Sequence, residues 1–158
     1  DRMTIGADGV KIYRALDYAT ILTTNLSAEY QFLQSLKLDG SLGYNLGKDQ
    51  SNNYLPLISP LNYKVELHFK KELFDAEFGL SGNAKQQNYS SDYGEDKTNA
   101  YVIFNTNVSY SFQNGSDKIF IKSGIENIFD TYYSTYADWK NIPRMGRNIF
   151  VNVSYVIK

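Results

Sequence analysis

The sequence predicts an all-β chain: an antiparallel, transmembrane up-and-down β-barrel with seven to eight strands present. Three observations predict it. Seven stretches alternate strictly and keep one face free of charge; they are joined in turn by something very short and something long; and no run of roughly eighteen apolar residues exists that would make a spanning helix. Successive side chains of a strand point to opposite faces, so one face here seeks an apolar medium while the other tolerates water.

The first stretch sets Tyr18, Thr20, Leu22, Thr24, Leu26, Ala28, Tyr30 and Phe32 on one side. Asp17, Thr23, Asn25, Ser27, Glu29 and Gln31 take the other. The pattern recurs from Leu36 to Leu46, Tyr63 to Phe69, Phe74 to Ala84, Val102 to Phe112, Ile119 to Ile125 and Ile149 to Ile157. Charged residues fall on the opposite faces throughout: Glu29, Lys37, Asp39, Lys64, Glu66, Asp75, Glu77, Lys122 and Glu126. The short links span 33–35, 70–73 and 113–118, the last holding an Asn114-Gly115 pair suited to a type I′ turn. The long links span 47–62, 85–101 and 127–148. Short turns at one end, long loops at the other and apolar-out, polar-in strands are the marks of an outer-membrane barrel.

Mean hydropathy is negative, as expected when half of every strand faces a polar lumen. With 14 Tyr and 9 Phe, many near strand ends, the chain has the material for interfacial girdles, although aromatics are also good strand formers. A net charge of −1 gives no basic patch for nucleic acid, and the absence of cysteine excludes a disulfide scaffold or thiolate metal site. An outer-membrane protein must be exported, so residue 1 is expected to follow a removed leader or to lie inside a longer protein.

Near the C-terminal end stand Gly124-Ile125-Glu126-Asn127-Ile128-Phe129-Asp130, then Tyr132-Tyr133, then Ile142-Pro143-Arg144-Met145-Gly146-Arg147-Asn148 and a closing strand through Tyr155. Together these resemble the C-terminal part of the β-barrel of a TonB-dependent outer-membrane receptor. Leu55-Pro56-Leu57-Ile58-Ser59-Pro60 resembles an entry to a descending strand in such receptors, and Gly9 to Tyr13 with Leu26 to Tyr30 resembles the strand before it. The resemblance implies residues 1–158 as a C-terminal segment of a 22-stranded barrel, with plug domain and N-terminal strands absent. It also implies structural roles for Asn127, Phe129, Asp130, Tyr133, Gly146, Arg147 and Tyr155. Such barrels commonly finish on Phe, whereas this chain ends Val156-Ile157-Lys158.

Candidate ligand contacts are the aromatic and cationic residues of the long loops: Tyr13, Arg14, Tyr54, Tyr89, Tyr93, Tyr136, Trp139 and Arg144. Stacking and charge from such residues suit anionic metal chelates; an interfacial belt with loop packing explains them equally. His68, the only histidine, falls on the polar face as lumen lining. Asp92, Glu95 and Asp96 match no defined calcium loop and read as a solvated loop. The Asn-x-Ser triplets at Asn25, Asn88, Asn107 and Asn152 arise from polar alternation. No catalytic residue, cofactor or resident metal is expected, for want of a nucleophile–base pair.

The function that follows is TonB-energised import of a ferric siderophore, another metal chelate or a cobalamin-like nutrient across the bacterial outer membrane. The expected partners are outer-membrane lipid, the rest of the barrel and plug, the TonB-type energy-transducing complex reached through the plug, and the ligand; nucleic acid is not one. Two alternatives remain open. One is a self-contained eight-stranded outer-membrane barrel serving adhesion or envelope stability, and the other a soluble, lipocalin-like calyx with the uncharged faces turned inward.

Overall fold

The computed structural model describes the backbone of residues 2–5, 9–115 and 117–157, and the side chains of these except at 2–5, Lys11, Arg14 and Asn114. Two short strands, β1 (Arg2–Ile5) and β2 (Lys11–Arg14), form a separate antiparallel hairpin. Residues 9–13, expected with 26–30 to form the strand before the Leu55–Pro60 entry, instead belong to this hairpin, which approaches the 3-10 turn at Ser91–Tyr93. The other seven strands form one antiparallel meander in chain order: β3 (Ala19–Leu33), β4 (Leu36–Asp49), β5 (Asn62–Lys71), β6 (Phe74–Asn83), β7 (Tyr101–Asn114), β8 (Asp117–Glu126) and β9 (Asn148–Val156).

Register carries the alternation of each strand onto its neighbour. Leu26 pairs with Leu42, Leu42 with Tyr63, Tyr63 with Gly82 and Gly82 with Val102. Tyr110 pairs with Ile121, and Ile121 with Val153. All seven uncharged faces thus fuse into one. A slip of one residue would turn a whole strand over, so this matching is what specifies the pairing. The strands run from 9 to 15 residues, enough for the ~9–11 that a tilted strand needs to cross a bilayer.

The hairpin turns follow the same logic. Asn114 pairs with Asp117, so Gly115, at φ 65°, opens the turn instead of closing the expected Asn114-Gly115 centre. That register sets Phe112 against Ile119; centring the turn one residue earlier would oppose Phe112 to the charged Asp117.

A single layer has no interior, and among the described residues Leu55 is the only buried hydrophobic one. All fifteen residues of β3 are exposed, as are Leu22, Leu26, Val108, Tyr110, Val151 and Val153 of the uncharged face. An apolar surface of this continuity is stable only against an apolar medium or partner. Grooves open on the other side, lined by Glu29, Asp39, Lys64, Glu66 and Glu77, so the sheet is hollowed on its charged face. There His68 Nε2 lies 3.2 Å from Asp39 Oδ2 and its Nδ1 3.6 Å from Glu77 Oε2, in keeping with a lining residue. The sheet is open: β3 and β9 are its two edges.

Candidate functional site

The loop of residues 127–147 is built from the motif words at its two ends. Asn127 is buried in a left-handed conformation, φ 50°, that Asn tolerates better than most residues. Its amide N–H donates to Asn105 Oδ1 at 2.8 Å. Its side chain closes a tight turn by donating to the Thr131 carbonyl at 2.9 Å and accepting the Thr131 N–H at 2.8 Å. Asp130, also left-handed at φ 55°, accepts the Arg147 N–H at 2.7 Å, and the Arg147 Nε donates to the Ile128 carbonyl at 2.8 Å. Gly146 makes this possible, because a Cβ there would collide with the Asp130 carboxylate. The two ends of the loop are thereby stapled at its base. Phe129 instead leaves the base and packs edge-on against Phe104 of the uncharged face, 5.2 Å between centroids, and Tyr155 donates its hydroxyl to Asp117.

Above the staple, Tyr133 lies over Tyr101 at the start of β7, with ring centroids 4.5 Å apart. Its carbonyl accepts the Arg144 N–H at 2.8 Å. The Arg144 Nε donates to Asp138 Oδ2 at 2.7 Å, and the same oxygen accepts the Thr135 N–H and hydroxyl at 2.7 and 2.8 Å. Partial burial pushes the Asp138 carboxyl upward, but the bonds from Arg144 and Thr135 outweigh it and hold the carboxyl below the ordinary carboxylate value. The Arg144 guanidinium is held above its own ordinary value by its bond to Asp138. Tyr101, Tyr133, Thr135 and Arg144 line a groove of about 440 Å³ on the hollow side, floored by Ser81 and Asn83 and flanked by Lys64. Stacked phenol rings beside a fixed guanidinium suit a polar solute bearing negative charge or acceptor oxygens.

The other two long loops are tied by buried polar groups. Glu95 accepts the Leu57 N–H at 2.6 Å and the Ser90 N–H at 2.7 Å, which joins the loop after β4 to the loop after β6 and holds Leu57 at φ 58°. Gln86, 2% exposed, accepts the Thr98 hydroxyl at 2.8 Å. Asp92 and Asp96 are exposed, but the solvated reading of the acidic stretch fails for Glu95: its carboxylate is the acceptor that two loop amides need.

Of the candidate ligand contacts, the structure brings Tyr93 and Trp139 together edge-on at 6.4 Å and sets Arg144 in the groove. Tyr54 packs under the Lys48 ammonium, 5.3 Å from its ring centre, in a separate groove of about 220 Å³. Tyr89 and Tyr136 are half-buried in their loops, and Tyr13 projects from the β1–β2 hairpin at 73% exposure. The Arg14 side chain lies outside the described residues. Sequence reasoning missed Tyr101 and Thr135 as groove residues and Asp138 as the acceptor that fixes Arg144. An acid six positions before Arg144 was the available signal for Asp138; Tyr101 carried none, since it reads as the end of a loop. Among the described residues no group of three or more His, Asp or Glu is arranged to hold a metal ion.

No protein-family model and no curated protein matches the chain. Among solved structures it is similar to "Copper transporter OprC", with a TM-score of 0.77 and 25% identity over 85% of this chain. The chain spans 23% of that protein's length. The seven-stranded meander matches part of the barrel of this TonB-dependent receptor.

Proposed function

We propose that the chain is a segment of the barrel wall of an outer-membrane receptor that takes up a metal ion or metal chelate with energy from a TonB-type complex. The observation that carries this reading is the two-faced meander itself: one continuous uncharged face on the outside of the curve and a charged, grooved face within, in the arrangement of a structure that transports copper. In this reading residues 1–158 are the last strands of a 22-stranded barrel, and the remaining strands pair with the edges of β3 and β9. Edge pairing is required because an unpaired backbone group in lipid costs several kcal/mol. The plug and the energy-transducing complex act through parts of the protein outside this chain. The stapled loop and the Tyr101–Tyr133–Arg144 groove present the outward-facing contact for the solute. Copper is the cargo of the structural neighbour; a ferric siderophore is the other candidate, favoured by the stacked phenols and guanidinium.

Cells expressing the intact receptor are compared with cells lacking it for accumulation of copper(II) and of a ferric tris-catecholate, with and without a working energy-transducing complex. Energy-dependent accumulation of either is the expected result. Equal accumulation of both probes with and without the receptor would overturn the reading.

A further inference from the structure

The uncharged face of the sheet meets charge at its loop rim. By the alternation of β9, Arg147 heads the outward row that continues through Ile149, Val151, Val153 and Tyr155 to Ile157. Ten residues at about 3.3 Å each, tilted by about 40°, span about 25 Å along the membrane normal, the height of the apolar band of such a barrel. Arg147 therefore stands at the outer edge of that band, where lipid head groups begin. Below it the face is aromatic. Phe129 follows the residue whose carbonyl holds the Arg147 Nε, is 67% exposed and packs edge-on against Phe104. Phe104 in turn lies 6.1 Å from Phe78, which is one row further from the loops. The Ile128 N–H donates to the Phe104 carbonyl at 2.8 Å and pins the loop to this strip.

The Arg147 side chain is fixed without being used up. Nε donates to the Ile128 carbonyl at 2.8 Å, while the Asp130 carboxylate is engaged with the Arg147 backbone N–H. Among the described residues no carboxylate forms an ion pair with the guanidinium and its two terminal nitrogens bond nothing; the residue is exposed. Lys48, at the same rim on β4, differs: its ammonium is held by Asn52 at 2.8 Å and lies over the Tyr54 ring.

Resting on the membrane placement proposed above, we infer that Arg147 is a lipid site: its free guanidinium nitrogens bind the head-group phosphate of an outer-leaflet lipid, and an acyl chain of that lipid lies down the Phe129–Phe104–Phe78 strip. A guanidinium presents paired donors that match phosphate oxygens, and such charge-assisted bonds are about twice as strong as neutral ones. At the band's edge the cation keeps its charge at little cost, and a bond to phosphate there competes with fewer waters than one in bulk solvent. The aromatic strip supplies the second half of the recognition, since a free phosphate has nothing to place on it.

The test delipidates the intact receptor in an uncharged detergent, titrates it with diphosphoryl lipid A, and reads the bound fraction by native mass spectrometry. R147Q is expected to weaken binding at least about tenfold, and removal of the phosphates from the lipid to do the same to the unaltered receptor. K71Q, which takes a cation from the opposite rim of the same face, is expected to bind within about twofold of the unaltered receptor. Should R147Q not reach the heat-resistant folded form, F129A decides: it leaves the guanidinium in place and is expected to weaken binding at least about threefold. Unchanged binding in R147Q or in F129A, or equal binding of the lipid with and without phosphate, overturns the site and leaves the transport reading standing. Displacement by inorganic phosphate at the lipid's own concentration overturns the assignment to a lipid. A receptor that stays monodisperse without detergent overturns the membrane placement and the site with it.

Discussion

Asp130 accepts the backbone N–H of Arg147 at 2.7 Å across the base of a twenty-one-residue loop, 127–147, through a gap that only a glycine at position 146 leaves open. A charged acceptor on a backbone amide is worth about 1.5–3 kcal/mol when shielded and less at this exposed site, so D130A is expected to cost about 1 kcal/mol. G146A is expected to cost more, since the new methyl both breaks the bond and drives the carboxylate aside. The double variant G146A/D130A removes the group that is struck, and its cost is expected to fall below the sum of the two singles. Thermal unfolding of the refolded barrel, read as the gel shift between folded and unfolded forms, checks all three. Strict additivity would show that Gly146 acts elsewhere.

Glu95 supplies the acceptor for two amides of different loops. Replacement by alanine removes both bonds, and leaving a buried donor without its acceptor costs about 1–3 kcal/mol each. E95A is therefore expected to loosen the loops after β4 and β6 without affecting the strands, seen as faster hydrogen exchange at the Leu57 and Ser90 amides and as new protease cleavage between residues 50 and 61. E95Q keeps one oxygen and is expected to fall between. Unchanged exchange at both amides in E95A would refute the staple.

The loops also show where the sequence was legible and where it was not. Strand existence, order and the sharing of one uncharged face were readable because period-two alternation is written in every strand, and Leu26 pairs with Leu42 because both belong to that face. The bond from Asp130 to Arg147 links residues seventeen positions apart through the φ angles of Asn127 and Asp130, and no periodicity records a backbone turned left-handed. Glu95 misled for a related reason. Asp92, Glu95 and Asp96 together read as a solvated loop, but the place of Glu95 is decided by the Leu57 amide thirty-eight residues earlier.

Asp138 links the groove to pH. Its carboxyl titrates below the ordinary aspartate value near 3.8 in the folded loop, so ionised Asp138 contributes stability that is fully present above that value and is lost as pH falls through the lower, folded value. Trp139, the chain's single tryptophan, adjoins it and serves as the reporter. Its fluorescence is expected to change on acidification with a midpoint below 3.8, and R144Q is expected to move that midpoint upward by removing the guanidinium that opposes burial. A midpoint identical in both proteins would mean that the guanidinium does not govern this carboxyl.

The facing of the sheet has the most direct consequence, because Val108 and Ser109 are adjacent in β7 and point to opposite sides. In lipid a lysine at the middle of the outer face costs about 2–4 kcal/mol, falling toward zero near the interfaces, whereas a lysine on the lumen side keeps its water. V108K is therefore expected to destabilise the assembled receptor in bilayers by about that amount, and S109K to leave its unfolding midpoint nearly unchanged whatever it does to transport. In a soluble calyx the uncharged face would be the interior, yet V108K would still be the damaging change, so the comparison alone does not separate the two. Detergent does. The 33 exposed large hydrophobic residues among those described need cover, and light scattering after size exclusion is expected to find a monodisperse species only when detergent supplies it. A monodisperse monomer in plain buffer, with V108K unfolding it there, would put Val108 inside a protein core and overturn the membrane assignment.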